Sequence, residues 1–359
     1  MSLRLSSVAV AFSLPAALLA QQYQQIDVGH LGGVSTWAGA VNVNGQVTGT
    51  SEISGSSDQH AYIFNGSTIK DLGTLGGGSS NGNAINTSGS VVGNSETNTA
   101  GVIHAFLYKN GAMQDLGSGG TRSWATGIDD NGRVIGFDFG GPAWLWTNGS
   151  RQSLGALAGG SSAPSAITNG GIIVGSSSIA SGASHAAILT TTGAQDLGIT
   201  TGDQESFALT ATDTGYIGGY FNEANGQSHG FLYKGGTKTV VGGSYYLSQV
   251  QSVDSLGRAL VLIKETSGSN YSAAMYKDGV LTPLPNLVTS NNTGLTANYV
   301  GQINGDYMAA TAYSGNGSAN HGLRLAAVPE PTSLGAFGVG LCALFRSRPR
   351  RGRRPERRS

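Results

Sequence analysis

Apolar residues in this chain come in short blocks separated by turns rich in Gly, Asn, Ser and Thr. The clearest stretch is 71–114, where blocks such as HAFLY alternate with turn signals such as NG. Short blocks of this kind favour β-strands, because an amphipathic helix needs a longer apolar period. The stretch predicts four strands, at 83–86, 90–95, 104–108 and 112–116.

The same pattern recurs along the chain. Its units begin at 27, 71, 115, 153, 196, 241 and 285, so the period is about 44 residues. Four antiparallel strands in that length match one blade of a β-propeller. A β-solenoid rung would be shorter, and a helical repeat would need longer apolar runs. We therefore predict an all-β fold, a seven-bladed β-propeller of four-stranded antiparallel blades.

The last unit is one strand short. Its pattern predicts strands near 295–302, 306–313 and 321–325, and no fourth strand follows. A matching strand, YQQIDV, stands at 23–28, before the first complete unit. A ring closed by this N-terminal strand would pair the two unmatched segments and remove both of their open edges. The blades are then offset by one strand from the repeats, and the second blade is expected to run from about Ser79 to Leu116.

Composition agrees with an all-β fold and limits the classes of binding partner. The 359 residues include 58 Gly, 11% charged and 39% hydrophobic residues, which suits a turn-rich chain with a packed core. Nine of the 20 basic and two of the 20 acidic residues lie outside 21–328, which leaves 11 basic and 18 acidic residues and a net charge of about −7. We expect no nucleic-acid partner, because phosphate binding needs clustered Lys and Arg. The single cysteine, Cys342, lies outside the repeats, so they contain neither disulfide nor thiolate metal site.

Residues 1–20 predict a secretory signal peptide. Arg4 precedes an apolar run at 8–19, and the small residue Ala20 precedes Gln21. A permanent membrane anchor is the alternative, but the run is short for a span. The predicted domains are the signal peptide 1–20, the propeller 21–327 and a C-terminal segment 328–359.

The C-terminal segment has three parts in order: Pro329-Glu330-Pro331, an apolar stretch at 333–345 and an Arg-rich tail. This order resembles the PEP-CTERM sorting signal of Gram-negative bacteria. The resemblance implies export through the Sec translocon, transient anchoring in the inner membrane with the Arg tail in the cytoplasm, and cleavage by an exosortase. It places the mature protein at the cell surface or outside the cell. An ordinary C-terminal anchor and a basic nucleic-acid-binding tail are the alternatives.

The repeats themselves carry the blocks D-L-G-x-L-G-G, I-N-x-x-G-x-V-V-G and H-A-F-L-Y. These blocks resemble the HAF repeats of exported bacterial proteins, clearly over 27–240 and more weakly over 241–326. The resemblance implies an exported, repeat-built protein and implies no particular activity.

Two polar residues recur at fixed positions of the repeat. Histidine begins the third predicted strand at His60, His104, His185, His229 and His321. Aspartate begins the unit at Asp27, Asp71, Asp115 and Asp196. Recurrence favours a structural hydrogen-bonding role for the histidines over a ligand role, and turn capping for the aspartates over lining a channel mouth. No two histidines have the spacing of metal ligands, and His30 alone indicates no site.

Signs of catalytic or cofactor chemistry are weak. The turn Asp129-Asp130-Asn131-Gly132 resembles half of a calcium loop but lacks the later Glu, so we predict no cofactor, with calcium at this turn as the alternative. The glycine run at 76–78 precedes no Lys-Ser/Thr and is predicted to connect blades. No nucleophile elbow or isolated pair of acids stands out, and we predict no catalytic or metal-binding residues.

Tryptophans are the remaining candidates for a ligand site. Trp37 and Trp124 are predicted to precede the first strands of their units, where an exposed indole would stack on a sugar. Trp144 and Trp146 occupy strand positions and are expected in the core.

These features favour a non-catalytic, exported repeat protein that acts as a binding or structural scaffold at the cell surface or in the extracellular matrix. Exopolysaccharide or surface proteins are the expected partners. The alternatives are an envelope enzyme acting on polysaccharide, with residues from several blade-mouth loops, and a purely structural matrix component.

Overall fold

A computed structural model describes residues 22–117, 120–200, 204–290, 295–313 and 319–328. The predicted signal peptide, the Pro329-Glu330-Pro331 motif and the apolar stretch at 333–345 lie outside the described residues. The chain divides after Ala327, and all the sheets belong to the first unit. Among the described residues, no helix has the length and apolarity needed to cross a membrane.

The fold is all-β, as predicted. The N-terminal strand β1 (Tyr23–Asp27) is followed by four sheets, each of four antiparallel strands in chain order. Group 1 is β2 (Gly32–Val41), β3 (Val47–Ile53), β4 (Gln59–Phe64) and β5 (Ile69–Asp71). Group 2 is β6 (Gly76–Ile85), β7 (Val91–Thr97), β8 (Ile103–Lys109) and β9 (Ala112–Asp115). Group 3 is β10 (Ser123–Ile128), β11 (Val134–Asp138), β12 (Ala143–Thr147) and β13 (Ser150–Ser153). Group 4 is β14 (Ser162–Ile167), β15 (Ile173–Ser178), β16 (Ser184–Thr190) and β17 (Gly193–Asp196).

Two further groups of four antiparallel strands share one sheet through a single parallel pair, Ser228 with Leu247. Group 5 is β18 (Ser206–Ala211), β19 (Ile217–Asn222), β20 (Ser228–Lys234) and β21 (Thr237–Val241). Group 6 is β22 (Leu247–Val253), β23 (Ala259–Lys264), β24 (Ser272–Lys277) and β25 (Val280–Pro283). A short 3₁₀ helix, Leu284–Leu287, ends this part of the chain.

The last sheet combines both ends of the repeat region. Its strands are β26 (Val288–Ser290), β27 (Thr296–Asn304), β28 (Tyr307–Tyr313), β29 (Asn320–Ala327) and β1, in the order β26-β1-β29-β28-β27. Strand β1 runs antiparallel to β29, with Tyr23 opposite Ala327 and Asp27 opposite Leu323. We call β27, β28, β29 and β1 group 7. Strand β1, which the sequence predicts to complete the last unit, therefore pairs with that unit's third strand, β29.

The start of the second group differs from the prediction. The glycine run at 76–78 does not connect sheets, because Gly76 already begins β6. A bulge between Gly76 and Ser80 turns the amides of Gly78 and Ser79 towards Glu96, whose Oε2 accepts both at 3.1 and 3.3 Å. Group 1 repeats the arrangement, with the amides of Val34 and Ser35 donating to Glu52 Oε2. The strand persists through the polar run because a carboxylate replaces the missing backbone partners.

A second bulge recurs in the first strand of each group. The pairing between the first and second strands skips one residue at Gly39, Asn83, Thr126, Ser165, Leu209 and Gln251 in groups 1 to 6. In group 7 the register of β27 shifts twice. A bulge leaves its extra residue unpaired and bends the strand, so these side chains are free to face away from the ladder.

The core lies between neighbouring groups. Each cluster of buried apolar residues is shared by two successive groups, as in Val92 and Leu107 of group 2 with Ala125 and Trp144 of group 3. One cluster joins group 7 to group 1, through Val28, Tyr62 and Ala309. Because each strand alternates its side chains between two faces, a group that packs on both sides buries both faces.

Candidate functional site

The recurring histidines and aspartates contact each other. His104 Nδ1 lies 2.8 Å from Asp115 Oδ2, and the distances for His60–Asp71, His185–Asp196 and His321–Asp27 are 2.8, 2.6 and 3.0 Å. The other oxygen of each aspartate accepts the amide of the glycine two residues later, as in Asp71 with Gly73 at 2.7 Å. Each aspartate thus caps a turn and orients a histidine. Within groups 1, 2 and 4 the aspartate follows the histidine by 11 residues. The sequence contains this spacing, but alignment of the repeats alone does not show that the two residues meet.

Groups 3, 5 and 6 lack a complete His–Asp pair. Group 3 has Pro142 and Ser153 at these positions, and group 6 has Ser272 and Pro283, so both residues are replaced together. Group 5 keeps His229 but has Val240 in place of the aspartate. His229 is 6% exposed, and among the described residues its Nδ1 has no hydrogen-bond partner, while Nε2 lies 3.6 Å from Glu223.

The first-strand bulges line an inner cavity. Its volume is about 180 Å³, and Asn83, Thr126, Ser165 and Gln251 contribute polar side chains to its wall. At the turn end of the same strands lies a second cavity of about 250 Å³, which we call the turn cavity. Its wall comes from the turns that join the first and second strands: Thr87, Asp130, Asn169, Asp213, Ser255 and Asn304. Both cavities receive equivalent residues from all the groups, so the site is a property of the repeat.

Hydrogen bonds connect each group to the next around these cavities. The donors and acceptors are Asn42 Nδ2 to Asn86 O, Asn86 Nδ2 to Asp129 O, Asp130 N to Asn169 Oδ1, Gly170 N to Asp213 Oδ1, Thr214 Oγ1 to Ser255 O, Ile303 N to Ser252 Oγ and Val41 N to Gln302 Oε1. The last of these joins group 1 to group 7. The turns that carry the polar wall are therefore held by their neighbours as well as by their own hairpins.

The turn that resembles a calcium loop is occupied by protein partners. Asp129 Oδ1 accepts the amide of Arg133 at 2.8 Å, and Asp129 Oδ2 lies 2.5 Å from Arg133 Nε. Asp130 accepts the Thr87 amide at 2.8 Å and Asn169 Nδ2 at 2.7 Å. Partial burial acts to raise the pKa of Asp130, but these hydrogen bonds outweigh it and lower the pKa. Among the described residues no group of three or more His, Cys, Asp or Glu has metal-binding geometry.

The predicted stacking residues lie elsewhere than expected. Trp37 and Trp124 are inside β2 and β10 and do not precede them, because Thr36 and Ser123 are buried strand residues despite being polar. Both indoles are half-buried, and Trp124 stacks on Phe137 at a centroid distance of 5.3 Å. Trp144 is in the core at 2% exposure, as expected. Trp146 is only half-buried, and it faces a groove between groups 2 and 3 that the sequence did not indicate.

Comparison with known proteins does not assign this chain to a family. No family model and no curated protein sequence matches this chain. Among solved structures the chain is similar to TolB from Acinetobacter baumannii, with 13% sequence identity and a TM-score of 0.43. The match covers 66% of this chain and 63% of that one, so it spans less than two thirds of the TolB chain.

Proposed function

We propose that this protein is an exported, non-catalytic scaffold of the bacterial cell surface or extracellular matrix, built as a seven-bladed β-propeller. In this architecture groups 1 to 7 are the blades, and β1 closes the ring by completing the last one. Three observations support closure: the pairing of β1 with β29, the shared cluster around Val28, and the hydrogen bond from Val41 N to Gln302. Radial repetition of this kind leaves only short, protected edge strands on which other chains could aggregate.

The observation that carries the scaffold role is the use of the titratable groups. Each of the four recurring aspartates is paired with a recurring histidine, and Arg133 and Arg258 are paired with Asp129 and Asp254. These groups hold turns and strand ends, whereas catalytic acids and bases face a substrate. The inner cavity instead offers hydroxyl and amide side chains, and the turn cavity adds the carboxylates of Asp130 and Asp213, which accept hydrogen bonds from neighbouring turns.

Export and sorting rest on the terminal segments. The run at 1–20 has the features of a signal peptide, and Pro329-Glu330-Pro331 with the apolar and Arg-rich stretches resembles a PEP-CTERM signal. The Sec translocon and an exosortase are then the partners during export. Exopolysaccharide or surface proteins are the partners of the mature protein.

Replacement of Pro329-Glu330-Pro331 by three alanines tests the sorting step. In the native host we expect the variant to accumulate unprocessed in the membrane fraction, while the parent chain is released or reaches the surface. Immunoblots of fractionated cells measure the distribution. A matched control, Pro283→Ala in β25, leaves the tail intact. Normal release of the triple variant would contradict the sorting assignment.

The rival function is an enzyme that cleaves polysaccharide with acids drawn from several turns. The carboxylates of the turn cavity, Asp130 and Asp213, are the candidates that this rival would use. Incubation of the purified full chain with polysaccharide from the host matrix, followed by reducing-end assay, separates the two. We expect no new reducing ends, and cleavage lost in Asp130→Asn or Asp213→Asn would establish the rival.

A further inference from the structure

The groove that Trp146 faces is a cavity of about 200 Å³ between groups 2 and 3. Group 2 contributes Lys109 and Gln114 at the outer end of the third and fourth strands, and group 3 contributes Trp146 and Asn148. Asn148 lies at the hairpin turn after β12, with a left-handed φ of 48°, and lines the groove. An indole wall is thus surrounded by ammonium and amide groups.

In the equivalent groove between groups 5 and 6, the lysine lies over an aromatic ring. There Lys234 takes the place of Lys109, and its Nζ lies 3.7 Å from the centre of the Tyr216 ring. Tyr216 corresponds to Ser90 of group 2, so the groove between groups 2 and 3 has no ring at this position for Lys109 to cover. Between groups 1 and 2, Lys70 Nζ likewise lies 5.5 Å from the Tyr108 ring. In each of these two grooves the ammonium group of a lysine makes a cation–π contact with a tyrosine ring.

In the groove between groups 2 and 3 the polar side chains are available to a ligand. Within the part of the chain that the structure describes, the side chains of Lys109, Gln114 and Asn148 make no hydrogen bond, and no cation lies over the Trp146 ring. One side of the indole packs on the cluster that contains Leu107 and Trp144, which fixes its orientation. A fixed aromatic face with adaptable donors and acceptors around it favours a ligand that has both an apolar face and many hydroxyls.

We propose that this groove binds a neutral carbohydrate, with one pyranose ring stacked on Trp146. The C–H face of the sugar would cover the indole, and its hydroxyls would exchange hydrogen bonds with Lys109, Gln114 and Asn148. Lys109 and Asp130 are the two charged residues that line the groove, and their opposite charges offset each other, so the groove favours a neutral sugar over an acidic one. This inference rests on the proposed scaffold function and names the class of ligand and the site that takes it.

The test uses the full chain and three neutral hexasaccharides: cellohexaose, mannohexaose and a β-linked galactohexaose. Isothermal titration calorimetry measures each affinity. We expect the parent chain to bind at least one hexasaccharide, and Trp146→Ala to weaken that binding by about tenfold or more. Trp124→Ala, which truncates another half-buried indole of the same group outside the groove, should change it by less than about twofold.

A second variant protects the test from a folding defect in Trp146→Ala. Lys109→Ala combined with Asn148→Ala changes two exposed side chains and should also weaken binding, whereas Lys234→Ala in the fifth–sixth groove should not. Failure of the parent chain to bind any of the three sugars, or unchanged binding by both groove variants, would overturn the carbohydrate site and leave the scaffold proposal in place. Cleavage of a bound hexasaccharide would overturn the non-catalytic scaffold instead.

Discussion

The His–Asp pair occurs in groups 1, 2, 4 and 7, where it joins the third and fourth strands of the group at one end. The aspartate is partly exposed in each pair, with 36–47% side-chain exposure in groups 1, 2 and 4. An ion pair with that exposure contributes little by charge alone, about 0–1 kcal/mol. Its larger effect is that one aspartate provides a hydrogen-bond partner for both a histidine nitrogen and a turn amide. The backbone at the strand end offers these two groups no partner.

Val240→Asp is predicted to stabilise the protein. The new carboxylate would lie near His229, whose buried Nδ1 lacks a partner among the described residues. It would also lie two positions before Gly242, whose φ of 70° is close to the 74° of Gly73 and the 81° of Gly29. Because an unsatisfied buried nitrogen costs about 1–3 kcal/mol, we expect a gain of about 1 kcal/mol in the free energy of unfolding. Urea denaturation of the parent and the variant measures it.

The control for Val240→Asp is the same substitution in a His229→Phe background. Without the imidazole the new aspartate keeps its turn amide and loses its main partner, so most of the gain should disappear. An equal gain in both backgrounds would show that His229 takes no part in the effect.

At the scale of the strands, a glycine in the second strand accommodates the bulge in the first. A Cβ on Gly93 would overlap the carbonyl oxygen of Asn81, and Gly49, Gly136, Gly175 and Gly219 meet the first strand of their groups in the same way. The residue opposite is aromatic in four of these five cases: Tyr62, Phe106, Trp144 and Phe231. The ring covers the backbone that the glycine leaves bare, which explains why the G of V-V-G and the F of H-A-F occur together.

Gly93→Ala is predicted to destabilise the protein by about 3 kcal/mol or more, because the backbone of β6 must move to admit the methyl group. Gly193→Ala is the matched control, since it also lies in a strand but its added Cβ would have no atom within 4 Å. That control should change stability by less than about 0.5 kcal/mol. Thermal unfolding followed by circular dichroism compares them, and equal effects would contradict the proposed role of the bulge.

At the scale of the whole repeat region, stability depends on contacts between residues that are far apart in sequence. Tyr23 is fully buried in a cluster with Met275 of group 6 and Leu323 of group 7, and burial raises the pKa of its hydroxyl. The bond from Asn320 N to Ser35 Oγ, at 3.3 Å, repeats between groups 7 and 1 the bond from Gln59 N to Ser79 Oγ between groups 1 and 2. The junction of the two chain ends thus uses the same contacts as an ordinary junction between neighbours.

Tyr23→Ala is predicted to cost about 3–5 kcal/mol of unfolding free energy, as for other buried aromatic residues, although it lies near the chain terminus. Gln24→Ala, on the exposed face of the same strand, should cost less than about 0.5 kcal/mol. Denaturant unfolding of both variants measures the difference. Two equally mild variants would show that β1 does not complete the last group, and the proposed closure would fail with it.

The sequence alone determined the strand content, the period and the missing strand of the last unit, because apolar spacing and turn residues act within a few positions of each other. It also located the repeated His and Asp residues. It placed Trp37, Trp124 and the glycine run wrongly, because polar residues can lie in a strand when another strand supplies their hydrogen bonds. Ser51 does this for Thr36, and Glu96 does it for the amide of Gly78.

Only the tertiary structure decided which residues meet. The pairing of each histidine with its aspartate, the overlap of Gly93 with the Asn81 carbonyl and the open face of Trp146 all depend on contacts between strands or between groups. In the groove at Trp146 the neighbouring group has Ser90 where the groove between groups 5 and 6 has Tyr216, the ring that Lys234 covers. Side-chain volume at such a junction is set by two segments at once, so no local pattern contains it.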